Sequence, residues 1–322
     1  MADATYYRDG RQQIKTLAAT VTLGEIHQLA TGQAGVMSST SVGVSGDRKN
    51  FASANQWAVT KAAGIVLLDG GRVYWDHSAN AATFRRNGDR DFYLGRAVGD
   101  AASADTSVVV NLDAPEFNYD HDLARDAFET AIVGTQALGG LGLYRRGGAH
   151  LFVLDTTNEA QKVDALGDGS FANAANAIVE FCFTVPNDGA GSAPDVSIGI
   201  ASGTHASDAD SIAQHLLMHL DGNATAIKFQ SKDGTTTVAA TDSLTTYTEG
   251  SALANRKEVW FDMRNPADVQ VYVDGVNVLP ATVFDVSAAA SEWKLLAHVE
   301  KTAAADVYQF KLNWLRARTA EQ

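Results

Sequence analysis

His215 and His219 stand four residues apart in "HLLMH", the spacing at which a helix presents two imidazoles to one zinc ion. The glutamate that such a motif needs after its first histidine is replaced by Leu216. The stretch also runs into Asp221-Gly222, a hairpin signal. A strand is expected, with His215, Leu217 and His219 on one face and no metal. "DHDLARD" groups Asp120, His121, Asp122 and Asp126, types that suit metal binding or proton transfer. At a helix start the same residues cap free N–H groups and complement the dipole, and that is the role expected here. Cys182, the single cysteine, sits between Phe181 and Phe183 and reads as a buried, inert thiol. One cysteine allows no internal disulfide and no cysteine-built zinc site.

The glycine loops "GDRKNF", "LGDGSF" and "SKDGTT" lack the spacing and following helix of a phosphate loop, and "NGDRDF" lacks the EF-hand pattern. There is no GxSxG, no defensible Ser/His/Asp order and no evident pair of catalytic carboxylates. No catalytic, cofactor or metal residue is therefore assigned, and the chain is expected not to be an enzyme.

Composition narrows the partners. The chain has 322 residues, enough for two ordinary domains. Hydrophobic residues make up 45% and charged residues 20%, so a packed core is expected rather than disorder. With 28 Gly against 5 Pro and many Thr, Val and Ala, strands joined by tight turns are favoured. The net charge of −13 is uneven: residues 1–113 balance 11 basic against 11 acidic residues, whereas 150–322 carry 11 against 22. Nucleic acid is a poor partner for such a surface. A near-neutral half can seat on another surface while an acidic half faces solvent. The polar N-terminus lacks a signal peptide's apolar core, and no apolar run approaches the ~18 residues that span a bilayer. Synthesis in the cytosol and no membrane insertion are expected.

Four regions are expected along the chain. Residues 1–15 read as an exposed arm. Residues 16–113 read as a small β-barrel or sandwich, with "KTLAATVTLG" a first strand and Val108, Val110 and Leu112 sharing one face of the last. Residues 114–149 read as a connector: a helix of roughly three turns in "YDHDLARDAFETAIVGTQALGG", striped by Leu123, Ala127 and Ala131, then the glycine-rich "GGLGLYRRGGAH". Residues 150–322 read as a two-sheet antiparallel sandwich. Its expected inward sets are Val179/Phe181/Phe183/Val185, Val259/Phe261/Met263, Val269/Val271/Val273, Trp293/Leu295/Ala297/Val299 and Tyr308/Phe310/Leu312/Trp314. Asp221-Gly222 and Asp233-Gly234 mark hairpins between three successive strands.

Two stretches carry family resemblances. "KAAGIVLLDGGRVYWDHSANAATF" followed by "FYLGRAVGDAASADTSVVVNLD" resembles the small capsid decoration (cement) proteins of tailed phages over about residues 16–113. Tyr74, Trp75 and Asp76 match that family's "YWD" strand, Gly95, Ala97 and Val98 the next strand, and Val108 to Leu112 the last; the segment 24–55 departs from the usual compact pattern. The resemblance implies a protein on the outer surface of the virion capsid, bound to the major capsid protein, commonly as a homotrimer, stabilising the head through many weak contacts. It also implies that the "YWD" strand and the arm belong to the domain that grips the shell. "VWFDMR", "DVQVYVDGVNV" and "YQFKLNWLRAR" resemble the concanavalin-like, laminin-G class of jelly rolls, a fold that hosts unrelated functions. The expected function is thus capsid decoration with an exposed lectin-like domain that touches glycans or a host surface. The alternative is a carbohydrate-binding adhesin, with a glycan-cleaving enzyme third.

Overall fold

The computed structural model describes residues 4–6, 12–116, 119–123, 128–134, 150–189, 194–205, 208–222 and 224–319. These residues form strands, turns and three short 3-10 turns, with no α-helix among them. The chain divides into two compact units, 1–118 and 119–322.

Among the described residues, ten strands build the first unit: β1 (Ala4–Tyr6), β2 (Gln12–Thr16), β3 (Ile26–Gln28), β4 (Ala34–Met37), β5 (Arg48–Ala52), β6 (Gln56–Thr60), β7 (Arg72–Asp76), β8 (Ala81–Thr83), β9 (Phe92–Ala97) and β10 (Ser107–Asn111). One sheet runs β1-β6-β10-β9-β7-β8 and a second β2-β5-β4-β3. A parallel bridge between Lys61 and Ala82 joins the end of β6 to the edge strand β8, so the larger sheet curls into a small barrel. Period-two alternation fills it: Val59, Val73, Trp75, Leu94 and Val110 are all buried. Gly95 is demanded by a close approach, since a Cβ there would lie 2.1 Å from the Asn111 carbonyl oxygen.

Where the expected exposed arm is described it is paired: β1 with Trp57–Val59, and β2, exposed to half-buried along its length, with Arg48–Ala52. One expectation about this unit is corrected. "KTLAATVTLG" is not one strand: it leaves β2 at Thr16, and beyond it Leu17 donates to the Asp47 carbonyl, Val21 bridges Gly43 and Gly24 donates to the Met37 carbonyl of β4.

The second unit holds β11 (His121–Asp122), β12 (Phe128–Val133), β13 (His150–Leu154), β14 (Glu159–Phe171), β15 (Ile178–Asn187), β16 (Pro194–Ala201), β17 (His215–Asp221), β18 (Ala226–Lys232), β19 (Thr237–Thr246), β20 (Lys257–Asp262), β21 (Gln270–Val273), β22 (Val276–Asn277), β23 (Trp293–Ala304) and β24 (Tyr308–Arg318). One sheet runs β12-β14-β23-β16-β17-β18-β19; the other runs β11-β24-β15-β20-β21-β22, with β13 also on β24. They enclose one core, in which Phe261 of the second sheet meets Phe229 of the first edge-on at 5.9 Å. The antiparallel sandwich expected from alternation is present, and Gly222 (φ 60°) and Gly234 (φ 92°) form the expected Asp-Gly turns.

The expected connector helix is corrected. Phe128 to Val133 form an edge strand on β14, from Phe128↔Gly167 to Val133↔Lys162, because an open sheet edge outweighs the modest helix propensity of "AFETAIV". Residues 124–127, 135–140 and the glycine-rich stretch 141–149 lie outside the described residues. The acidic residues expected to cap that helix instead bind β24: Asp122 accepts from Arg316 Nε at 2.9 Å, and Asp120 from the Thr319 N–H at 2.6 Å. Trp314 also departs from its expected inward set. Phe183 faces Leu312 while Cys182 faces Trp314, so a β-bulge shifts the alternation and Leu315 and Ala317 take the core positions.

Trp75 is 1% exposed, so Trp75→Ala is expected to cost about 3–5 kcal/mol of stability. Denaturant unfolding of the full chain checks this.

Candidate functional site

Alternation gives the seven-stranded sheet one face to the core and one away from it. The inner face is mainly apolar, with Gln161, Lys301 and Ser231 as buried polar positions on it. The outer face changes along the strands in three rows, each set by cross-strand register. The first row, Leu166, Leu296, Gly199 and Leu217, runs across β14, β23, β16 and β17. Its leucines pack with Ala201, Ala209 and Ile212, so the β16–β17 connection folds over this end of the face.

The second row is Asp164, His298, Ser197, His219 and Lys228, and the third is Lys162, Glu300, Asp195 and Asp221. In the second, His298 Nδ1 lies 2.5 Å from Asp164 Oδ1, and Ser197 Oγ lies 3.1 Å from His219 Nδ1. Between rows, Lys162 Nζ is 3.0 Å from Asp164 Oδ2, and His298 Nε2 is 3.2 Å from Glu300 Oε2. Lys162 also donates to the His205 carbonyl and Gln230 to Asp210, which tie the covering connection down.

Electrostatics differ between the ends of these rows. Burial opposes charge on the His298 ring, but its contacts with Asp164 and Glu300 outweigh that and push its pKa up to about 9. Lys162, Asp164, His298 and Glu300 thus form a linked quartet of two basic and two acidic side chains, buried except for the partly exposed Glu300. Asp195 is pushed up, first by burial and then by the nearby charges of Asp221 and Glu300, against the opposing pull of His219 and the Gly222 N–H. Asp221 is held low by Lys228, whose Nζ is 2.9 Å from Oδ2. Asp195, His219 and Asp221 place one ligand atom each within 4.8 Å of one another.

The structure separates several residues that the sequence grouped. His215 and His219 do share a face with Leu217, but both are buried, and His215 turns to the Ile212 carbonyl oxygen at 3.1 Å. Cys182 is buried, with Asn313 Nδ2 3.6 Å from its sulfur. In the first unit, Tyr74 and Trp75 are buried on β7, and the Asp76 carboxylate accepts from the N–H groups of Ser78 and Ala79 to shape the following turn. Gly95 faces Val73 on the neighbouring strand. The capsid-gripping role implied for these four remains a proposal.

Sequence reasoning missed Asp164, Asp195, Asp221, His298 and Glu300, which come from four strands. A signal existed: Lys162-x-Asp164, Asp195-x-Ser197, His219-x-Asp221 and His298-x-Glu300 each put two polar groups on the side opposite an apolar set.

No protein-family model matches the chain, and no curated protein does. Among solved structures it is similar to the carbohydrate recognition domain of Emp47p (TM-score 0.43, 13% identity, 62% of this chain and 94% of that one). It is also similar to SCLam, a non-specific endo-beta-1,3(4)-glucanase from family GH16 (0.36, 14%, 53% and 71%). A third is a structure of endo-acting O-glycanases from prominent members of the human gut microbiota (0.38, 10%, 55% and 81%). Likeness at this level concerns the sandwich architecture and transfers no residue roles. It does correct the expectation that the chain is not an enzyme. Two of these three structures are of glycan-cleaving enzymes by name.

The raised His298 pKa has a pH consequence. The folded state holds a proton that the unfolded chain releases near pH 6.5, so this stabilisation is complete below about pH 6.5 and is lost as pH rises through about 9. Urea unfolding across that range is expected to show a decline on the order of 3 kcal/mol, flattened by His298→Gln.

Proposed function

We propose that the chain is a carbohydrate-binding protein whose sandwich unit is the working part and whose barrel unit attaches it to a larger assembly. The observation that carries this reading is the polar strip on the outer face, where the buried Asp164, Lys162, His298, Ser197 and His219 hold the more accessible Glu300, Asp195 and Asp221 on four strands. Carboxylates fixed in this way suit a ligand that presents many hydroxyls, because each hydroxyl can donate to them. The excess of acidic residues over 150–322 disfavours phosphorylated ligands.

A second reading, capsid decoration, draws on the barrel unit. Leu23, Val42 and Val44 are 52%, 57% and 54% exposed and lie around the Val21–Gly43 bridge, an apolar group left on the surface. Under this reading that group, rather than the buried Tyr74 and Trp75, meets the major capsid protein on the outside of the virion, with three copies associating there. Sedimentation of the full chain with expanded phage heads tests it: Leu23→Ser with Val42→Ser is expected to abolish binding, and retained binding counts against it.

For the carbohydrate reading, a glycan array followed by calorimetry with the best oligosaccharide is the test. Glu300→Gln and Asp221→Asn are each expected to weaken binding at least tenfold, with the exposed Asp221→Asn leaving the fold intact. Absence of any bound glycan, or unchanged affinity in both variants, rejects the reading. Chromatography of the same incubations shows whether the bound glycan is also cleaved.

A further inference from the structure

We propose that Asp195, His219 and Asp221 form a binding site for a divalent transition-metal ion at the third-row end of the outer face. Their ligand atoms lie within 4.8 Å of one another. Register produces this cluster: Asp195 on β16 pairs with Asp221 on β17, and His219 precedes Asp221 by two residues on the same side. None of the three spacings is a metal motif in sequence, since 195 and 219 are brought together only by the sheet.

Two observations beyond proximity point to a cation. His219 is 8% exposed, and the Ser197 hydroxyl, 3.1 Å from Nδ1, orients the ring and leaves Nε2 without a hydrogen-bond partner. Hydrogen bonding at one ring nitrogen is how metal-binding histidines are commonly positioned. Asp195 is half-buried between the carboxylates of Asp221 and Glu300, and its one hydrogen bond is a long one, from the Gly222 N–H at 3.3 Å. A half-buried carboxylate flanked by two like charges is under repulsion that a cation relieves.

The ligand set selects the ion. One imidazole and two carboxylates suit zinc or manganese, whereas calcium takes six to eight oxygens. Three protein ligands leave coordination positions for water or for an oxygen of a bound molecule. Lys228 is the competitor, 2.9 Å from Asp221 Oδ2, and it places the expected affinity in the micromolar range rather than the nanomolar. The site deepens the proposed carbohydrate reading, because a hydrated cation on that face offers a hydroxyl-bearing ligand a further contact. Its test needs no glycan.

Full-length, untagged protein stripped with chelator is titrated with Mn2+, followed by the electron paramagnetic resonance of the free ion, and with Zn2+ by calorimetry. One ion per chain is expected, with affinity reduced at least tenfold in Asp195→Asn, His219→Gln and Asp221→Asn. Asp221 is exposed, so its variant keeps the test valid if a buried substitution impairs folding. Absence of stoichiometric binding, or full affinity in Asp221→Asn, overturns the inference. Absence of metal binding by the unaltered protein with glycan binding intact overturns the metal site alone, and absence of glycan binding with metal bound overturns the carbohydrate reading alone.

Discussion

A buried imidazole held between two carboxylates sets the terms on which the outer face of the seven-stranded sheet is built. Charges taken out of water are costly unless each finds a partner, and removing one partner leaves the other stranded. Lys162, Asp164, His298 and Glu300 meet that condition as a group: two positive and two negative side chains, linked by contacts of 2.5–3.2 Å on adjacent strands. The pairing depends on register, since a slip of one residue between β14 and β23 would turn Asp164 and His298 to the apolar core. The quartet therefore ties the alignment of the two strands to the placement of every polar group beyond them, including Ser197, Asp195 and His219.

What was legible in the sequence was what period two records. Val179, Phe181, Phe183 and Val185, and likewise Trp293, Leu295, Ala297 and Val299, occupy the core because alternation alone assigns them to one face. Trp314 escaped that logic because the bulge opposite Cys182 and Phe183 adds a residue that no pattern announces. The segment around Phe128 escaped it because a strand bound at a sheet's edge can be written in helix-compatible residues, the partner strand supplying the hydrogen bonds. The candidate site was the least legible. Residues 164, 195, 219, 221, 298 and 300 have no meaningful spacing, and the histidine that the sequence did single out, His219, was grouped with His215 rather than with the carboxylates it meets.

The barrel unit shows the other side of the same limit. The "YWD" strand is where the sequence placed it, but Trp75 is core and Asp76 shapes a turn, so residues conspicuous by type serve the fold. Gly95 serves it too, because its neighbour's backbone leaves no room for a side chain. The surface of this unit is written instead in small and ordinary residues such as Val42 and Val44, which no motif would flag.

The covering of the first row has a consequence of its own. The β16–β17 connection packs Ala209 and Ile212 onto Leu166, Leu217 and Leu296, and side chains from β14 and β18 hold it in place. The outer face is thereby divided along the strands: an apolar end sealed by its own connection, and a polar end whose side chains pair across the strands instead.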